Sequence, residues 1–301
     1  MQAILIQAGC YVMIIVMGYL LRKAGFFKAS DFNVLARIVL KITLPCAIVN
    51  NFAGKSIDPA MLSILLISFG GGLAYMGLGW LFNRRKGKEA QAFAVLNYSG
   101  YNIGNFAMPF IQSFLGPMGL LAVSLFDSGN AFIYLGGAYS VATLVKEKRP
   151  FSLARIGKAL VKSVPFDCYM IMLFMNLTGL SVPAPVVTFA GIGANANAFL
   201  AMLMVGIGFK LSGEKSQRGA IVKTLAVRYG LAAIIALGCW CLPFELDIRK
   251  ALVLLCFSPI SSSVPAFTAD MKSDVGLSSA LNSSAIVCSI VLMTLLLVIM
   301  A

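Results

Sequence analysis

The sequence predicts an all-α membrane protein with ten transmembrane helices, arranged as two inverted repeats of five helices. Three observations support this prediction. The chain has 301 residues of which 59% are hydrophobic and only 12% charged, apolar segments recur along its whole length, and two of them are interrupted by Pro, Gly, Asn and Ser. Soluble domains carry about twice this charged fraction. Because lipid favours apolar side chains on the outside of a protein, this composition fits a membrane.

Each apolar segment is about 20 residues long, which is the length that a helix needs to cross the hydrocarbon core. The predicted spans lie at 3–21, 33–53, 59–82, 89–114, 118–144, 154–179, 186–210, 219–242, 248–271 and 276–300. The first has neither a basic leader nor a cleavage site of small residues. We therefore interpret it as a span and not as a removable signal.

Basic residues predict the orientation, since loops rich in Lys and Arg stay in the cytoplasm. Most of the 24 basic residues fall in odd-numbered loops or at their edges. These residues are Arg22, Lys23, Lys28, Arg84, Arg85, Lys86, Lys88, Lys146, Lys148, Arg149, Arg155, Lys158, Lys162, Lys210, Lys215, Arg218, Lys223 and Lys272. We expect a multi-pass protein of the plasma membrane, the inner membrane of a bacterium, with both termini outside. Its surroundings are lipid, and scattered short clusters argue against a nucleic-acid partner.

A basic cytoplasmic linker at 146–153 divides the chain into two five-span halves, residues 1–145 and residues 154–301. Because five is odd, the second half enters the membrane in the opposite orientation. Related halves then form an inverted repeat, which is typical of secondary transporters. Pro109 and Pro265 support this relation, since each lies inside a span and is followed by a Gly-Leu pair at similar spacing.

Spans 4 and 9 are predicted to be broken helices that cross each other. The unwinding is expected from Asn102 to Pro109 and from Ser258 to Pro265, where Pro, Gly and small polar residues disfavour a continuous helix. Unwound backbone survives at membrane depth only where it lines a cavity. Half-helix N-termini at such a cavity suit a carboxylate. Two merely kinked helices with polar packing are the alternative.

Four features together resemble the auxin efflux carrier family over the whole chain. They are Leu44-Pro45 with Asn50, the run from Asn102 to Pro109, the break from Pro259 to Pro265, and the stretch from Gly276 to Ser284. This family includes plant PIN-formed auxin exporters and bacterial carriers of malonate, malate or lactate. The plant exporters have a long central loop that this chain lacks.

The resemblance implies the fold of bile-acid symporters and sodium/proton antiporters. Spans 1, 2, 6 and 7 would form a scaffold domain, and spans 3, 4, 5, 8, 9 and 10 a transport domain that slides like an elevator. A homodimer through the scaffold is also implied.

The predicted substrate-binding residues lie mainly in the two broken spans. They are Asn102, Asn105, Pro109, Ser262, Ser263, Pro265 and Asn50. Asn102 matches the crossover asparagine of the family, which implies substrate or ion coordination, and capping of freed backbone is the alternative reading. The serines are compatible with anion binding and with back-bonding to helix carbonyls. Further candidates along the substrate path are Asp167, Asn51, Asn195 and Asn197.

Asp127 in span 5 is the candidate coupling residue, because a carboxylate is costly to bury in a membrane. Asn130 lies three residues on, on the same helix face. Arg228 in span 8 is the ion-pair partner that we expect. Proton transfer, cation binding and a direct hold on substrate charge are the other roles considered for Asp127.

We therefore expect a secondary transporter that moves a small mono- or dicarboxylate by an elevator-type mechanism. A cation/proton antiporter is the alternative, although related antiporters generally place two carboxylates near the crossover, where this chain has only Asp127. The chain has no His, and its seven Cys form no C-x-x-C pair. The sequence therefore indicates no enzyme, no metal site and no cofactor, and a proton is the coupling species that we consider.

Overall fold

The computed structural model describes residues 2–209 and 217–301, and every regular element in these ranges is helical. The helices are α1 (Gln2–Lys23), α2 (Asp31–Phe52), α3 (Ser63–Asn83), α4 (Lys88–Tyr98), α5 (103–111), α6 (Pro117–Glu147), α7 (Leu153–Val161), α8 (Val164–Leu177), α9 (Ala184–Gly208), α10 (Arg218–Trp240), α11 (Leu246–Cys256), α12 (Val264–Asp270) and α13 (Val275–Ile299). Lys210 and Lys215 of the predicted basic loops lie outside the described residues.

Seven of the described helices are long and apolar enough to cross a membrane, namely α1, α2, α3, α6, α9, α10 and α13. The helices α7 and α8 meet at 80°, and they add an eighth candidate if the bent pair counts as one span. Predicted spans 4 and 9 correspond to the interrupted pairs α4–α5 and α11–α12. The chain is thus an all-α, multi-pass membrane protein, while the ten-helix inverted repeat stays a prediction.

The bend between α7 and α8 differs from the single predicted span at 154–179. Pro165 lies in the first turn of α8, and the residue before that helix, Ser163, has left the helical conformation. Proline is tolerated in a first turn because its missing N–H has no helical partner there. It cannot continue a helix from α7 without removing a hydrogen bond, so the chain starts a new helix.

Two segments without helix interrupt the chain in the predicted spans. The first break is residues 99–102, and the second break is residues 257–263. The first break begins upstream of its predicted position, because residues 103–107 form a π-helical turn and Pro109 lies at the start of the α-helix that follows. Gly100 turns the chain with φ of +73°, in a region that other residues rarely adopt.

Helix packing brings distant parts of the sequence together. α9 packs along α1 and α2, and α8 packs on α2; α6 packs on α3, α4 and α11. The approach of α1 to α9 depends on glycine, since a Cβ added to Gly18 would lie 2.6 Å from the carbonyl oxygen of Leu203. Small residues at such contacts are common in membrane helices, because they let backbones approach closely.

A polar cluster ties together three elements at one end of the molecule. Lys146 Nζ lies 2.7 Å from Glu89 Oε2 and donates to the Met271 carbonyl oxygen at 2.6 Å. Ser273 Oγ donates to Glu89 Oε1 at 2.6 Å. The start of α4, the end of α6 and the turn after α12 are therefore held in one arrangement.

Candidate functional site

The two breaks contact each other directly. The Asn102 N–H donates to the Pro259 carbonyl oxygen at 2.9 Å, and Asn105 Nδ2 donates to Ser262 Oγ at 3.1 Å. These bonds join residues that are more than 150 positions apart in the chain. We call this meeting of the first and second breaks the crossover.

Arg228 on α10 links the two breaks through hydrogen bonds to their backbone carbonyls. Its guanidinium donates to the carbonyl oxygens of Tyr98, Gly100 at 2.8 Å, Ser258 at 3.1 Å and Pro259 at 3.3 Å. These oxygens lie where α4 and α11 end, so no further helical N–H is available to them. A cation at the C-terminal end of a helix is favourable because of the helix dipole.

The expected ion pair between Asp127 and Arg228 is wrong, since the structure gives the two charges different partners within the described residues. Asp127 accepts hydrogen bonds from Asn130 Nδ2 at 3.1 Å and from the Tyr169 hydroxyl at 3.0 Å. Asp127 is therefore held by two side-chain donors, whereas the Arg228 guanidinium is held by carbonyls at the ends of α4 and α11, where helical N–H partners run out.

Each break is also supported by one asparagine amide. Asn130 Nδ2 donates to the Tyr101 carbonyl at 2.8 Å, and the Tyr101 N–H donates back to Asn130 Oδ1 at 3.0 Å. Asn282 on α13 donates to the carbonyls of Ile260 and Ser261 at 3.0 and 3.1 Å. The unwound backbone is thus bonded by side chains, as a buried break requires.

A cavity of about 380 Å³ lies beside the crossover, between α2, α6, the α7–α8 bend and both breaks. We call it the lysine cavity, because Lys41 and Lys162 line it. Within the described part of the chain, neither ammonium group has a hydrogen-bond or ion-pair partner. Asp127 is the one acidic residue among the described residues of its wall. The wall therefore favours an anion.

The wall of the lysine cavity includes residues from all three π-helical turns in the described ranges. These turns are Val39–Thr43, Ile103–Ala107 and Ile133–Gly137. A π-helical turn is rare and is frequently found at functional sites, because it redirects side chains from the regular helix positions. Their convergence on one space marks it as the candidate site.

A second cavity, of about 250 Å³, shares part of its wall with the lysine cavity. We call it the arginine cavity, because Arg22 of α1 lines it together with residues of α9 and α13. The Arg22 guanidinium donates to the carbonyl oxygens of Ile207 and Phe209, the latter at 2.6 Å. Phe32, Asn102, Asn105 and Ser262 line both cavities.

Three polar side chains of the crossover have hydrogen-bonding capacity to spare. The Asn102 amide is 5% exposed and has no hydrogen-bond partner within the described ranges. Asn105 Oδ1 is buried and unpartnered. Ser262 Oγ accepts from Asn105, which leaves its own proton free to donate. A carboxylate in either cavity would meet one amide donor and one hydroxyl donor.

Most of the predicted binding residues line the cavities. Those that do are Asn102, Asn105, Ser262, Ser263, Pro265 and Asp127. Pro109 is buried inside α5 and lines neither cavity, because the break lies before it. Asn50 is exposed on α2, away from both cavities, with its amide oxygen facing Gly191 of α9.

The further candidates are not part of either cavity wall. Asn51 donates to Ser124 Oγ at 3.4 Å, and Asn197 accepts from Thr43 at 2.8 Å, so both form interhelical hydrogen bonds. Asp167 and Asn195 line neither cavity.

Sequence reasoning missed Lys41, Lys162, Tyr169 and Asn282 as contributors to the site. Lys41 carried a signal, since a basic residue inside an apolar span is costly and usually functional. For Lys162 the sequence predicts only a place among the basic residues of the cytoplasmic loops. For Tyr169, whose contact with Asp127 comes from another helix, no signal in the sequence was available.

Comparison with known proteins gives a family match over slightly less than half of the chain. The model of a family described as membrane transport protein matches residues 10–154, which include the first break and α5. Over these residues the match confirms the resemblance to the auxin efflux carrier family. No curated protein matches the chain.

Proposed function

From the match of residues 10–154 to the membrane transport protein family, we propose that the protein is a secondary transporter of a small organic anion, a mono- or dicarboxylate. The observation that carries this proposal is the lysine cavity. Its wall includes two exposed lysines, Lys41 and Lys162, which have no partner among the described residues, and the unpartnered Asn102 amide, around a space of about 380 Å³. Spaces of roughly 300–1,000 Å³ are typical of small-molecule sites.

In the proposed complex, one carboxylate of the substrate accepts hydrogen bonds from Asn102 Nδ2 and the Ser262 hydroxyl. Lys41 and Lys162, which line the same cavity, balance its charge. Charge-assisted hydrogen bonds of this kind are about twice as strong as neutral ones. A dicarboxylate would engage the two lysines with its second group, which makes it the better substrate class.

The position of both cavities supports an elevator mechanism. The lysine cavity lies between α2 and α7–α8, from the predicted scaffold, and α5, α6 and the second break, from the predicted transport domain. The arginine cavity lies between α1 and α9 on one side and α5, α12 and α13 on the other. A substrate bound at such an interface changes sides when one domain slides along the other.

The chain ends support the proposed orientation. Ala3 and Ala301 line one further cavity, so both ends lie on the same side, which we propose to be the outside of a bacterial inner membrane. The apolar side chains of Phe174, Phe189 and Ile192 are exposed on α8 and α9. They support lipid contact and the proposed homodimer through the scaffold.

Thermal unfolding of the purified protein with malonate, malate and lactate tests the proposal. At least one acid is expected to raise the Tm, because a ligand that binds only the folded state stabilises it. Asn102→Ala should abolish that rise. Asn50→Ala is the matched control, since it removes the same amide from an exposed position outside both cavities, and its rise should equal that of the wild type.

Two results would contradict the proposal. One is an unchanged Tm rise in Asn102→Ala, which would place the anion elsewhere. The other is the behaviour of a cation/proton antiporter, seen as sodium-dependent proton movement in proteoliposomes without a response to any acid. Asp127, the one acidic residue in the described wall of the lysine cavity, is already bonded by Asn130 and Tyr169, and the same wall includes two lysines, which favours the anion carrier.

A further inference from the structure

Arg228 is the most enclosed cationic side chain among the described residues, with an exposed fraction of 0%. Its four hydrogen bonds to backbone carbonyls come from both breaks. Two oxygens lie at the end of α4, and two follow α11. One side chain therefore bridges two backbone segments that are remote in sequence.

The ligands of this guanidinium are all neutral. Besides the four carbonyls, the rings of Tyr75 and Tyr101 lie 4.6 and 5.5 Å from its Cζ atom, within the range of cation–π attraction. No carboxylate contacts it within the described ranges, because Asp127 is bonded elsewhere. Dipoles and ring faces alone therefore balance the charge.

This ligand set is that of a site for a small cation. Unwound backbone carbonyls and half-helix C-terminal ends are the groups with which broken-helix transporters coordinate alkali cations. Oxygen atoms converging from two backbones repel each other unless a positive charge lies between them. At this crossover the positive charge is not a bound ion but the guanidinium of Arg228, which is part of α10.

We propose that the crossover is a carbonyl-lined cation site occupied by the chain's own Arg228 guanidinium, and that it binds a free guanidinium or alkali cation when this side chain is removed. Where the inference concerns the transported anion, it rests on the proposed function. Anion binding then needs no inorganic cation at this point, because the tethered charge moves with the two breaks.

Arg228 acts on the cavities as a positioning residue. It holds the Pro259 carbonyl, which in turn accepts the Asn102 N–H at 2.9 Å. Without the guanidinium, the four oxygens would face one another across an empty space and separate. The Asn102 amide and the Asn105–Ser262 pair would then lose their spacing, and a cation that refills the site would restore it.

The test uses the full chain carrying Arg228→Ala, with Arg249→Ala as the control. Arg249 makes contacts of the same type, to the Trp240 carbonyl at 3.4 Å and to the Trp240 ring at 5.2 Å, away from the crossover. Thermal unfolding is measured in millimolar choline, sodium or guanidinium chloride at equal ionic strength.

In choline, Arg228→Ala should unfold about 10 °C below the wild type. Guanidinium should recover at least half of this loss, and sodium a smaller part, whereas neither the wild type nor Arg249→Ala should respond. A destabilised Arg228→Ala that responds to no cation overturns the proposal, and so does an equal response of Arg249→Ala.

If Arg228→Ala does not fold, Arg228→Lys and Arg228→Met replace it, because the two side chains are similar in length and differ in charge. The lysine variant should be the more stable and keep the acid-induced rise in Tm, and equal behaviour of the two overturns the proposal. The measurements of unfolding in choline, sodium and guanidinium chloride contain no organic acid. A wild type that responds to no acid therefore contradicts the proposed function alone.

Discussion

Three side chains, the buried Asn130 and Arg228 and the partly buried Asn282, replace the helical hydrogen bonds that the breaks remove. Asn130 bonds the first break, Asn282 bonds the second, and Arg228 bonds both. A buried backbone group without a partner costs about 1–3 kcal/mol. The crossover is thus a polar network, and the removal of any one of these side chains is expected to lower the free energy of unfolding.

Asn130→Ala should destabilise the protein by about 2–4 kcal/mol, because it leaves both the N–H and the carbonyl of Tyr101 without their partner. Asn33→Ala, at an exposed position on α2, is the control and should change stability little. Thermal unfolding in one detergent measures both. Equal Tm values for the two variants would show that Asn130 does not hold the break.

For single residues, the sequence identifies the polar residues of the site more reliably than it identifies their hydrogen-bond partners. Asn102, Asn105 and Asp127 can be recognised in the sequence, because polar groups inside apolar spans are costly and therefore usually have a function. The partner of Arg228 was not predictable in the same way. It depends on which carbonyls the breaks leave free, and that follows from the exact end of each helix.

Among the helices, the pairs α4–α5 and α11–α12 owe their interruptions to residue types that the sequence displays. Pro and Ser at 258–265 predict the second break close to its observed position. The first break was placed too far along, because Pro109 is compatible with both a break and a first helical turn. The bend before Pro165 was missed for the same reason.

Close packing of α1 on α9 gives a prediction for helix contacts. Gly18→Ala should lower stability by about 1–3 kcal/mol, since its Cβ would lie 2.6 Å from the Leu203 carbonyl oxygen. Gly9→Ala, on the same helix with nothing within 4 Å of the added Cβ, should be neutral or slightly stabilising. The measurement is the Tm of each variant under the same conditions, compared with the Tm of the wild type. A loss in Gly9→Ala as large as in Gly18→Ala would contradict close packing as the cause.

At the scale of the whole molecule, hydrogen bonds between α1 and the residue after α5 close access to the crossover on the side where the two chain ends lie. Ser113, just after α5, forms hydrogen bonds with the Tyr11 hydroxyl and with Gln7 Nε2 of α1. In the proposed division, α1 belongs to the scaffold and α5 to the transport domain. These bonds must then break in each transport cycle.

Cross-linking tests this requirement. Gln7→Cys with Ser113→Cys, with the native cysteines replaced, should lose exchange of labelled acid in proteoliposomes when bridged, and regain it on reduction. Tyr19→Cys with Phe209→Cys, a pair within the proposed scaffold whose rings lie 6.2 Å apart, should keep exchange when bridged. Exchange that survives in the bridged first pair would contradict sliding between these domains.

The membrane class and the meeting of the breaks were predictable, since composition and helix-breaking residues are local properties of the sequence. The shape of the lysine cavity was not. Its wall takes Lys41, Asn105, Tyr134 and Lys162 from four separate helices or helix ends, and their convergence depends on packing angles that no local pattern encodes.

The most direct test of the account is counterflow of labelled malonate, malate and lactate into proteoliposomes preloaded with the same unlabelled acid. This measurement needs no knowledge of the coupling ion. The wild type should accumulate at least one acid, and Lys41→Met should raise the half-saturating concentration about tenfold, because a charge facing the bound carboxylate is lost. Lys55→Met, whose side chain lies outside both cavities, should match the wild type. Equal half-saturation in the two lysine variants, or no counterflow of any acid by the wild type, would contradict anion transport through the lysine cavity.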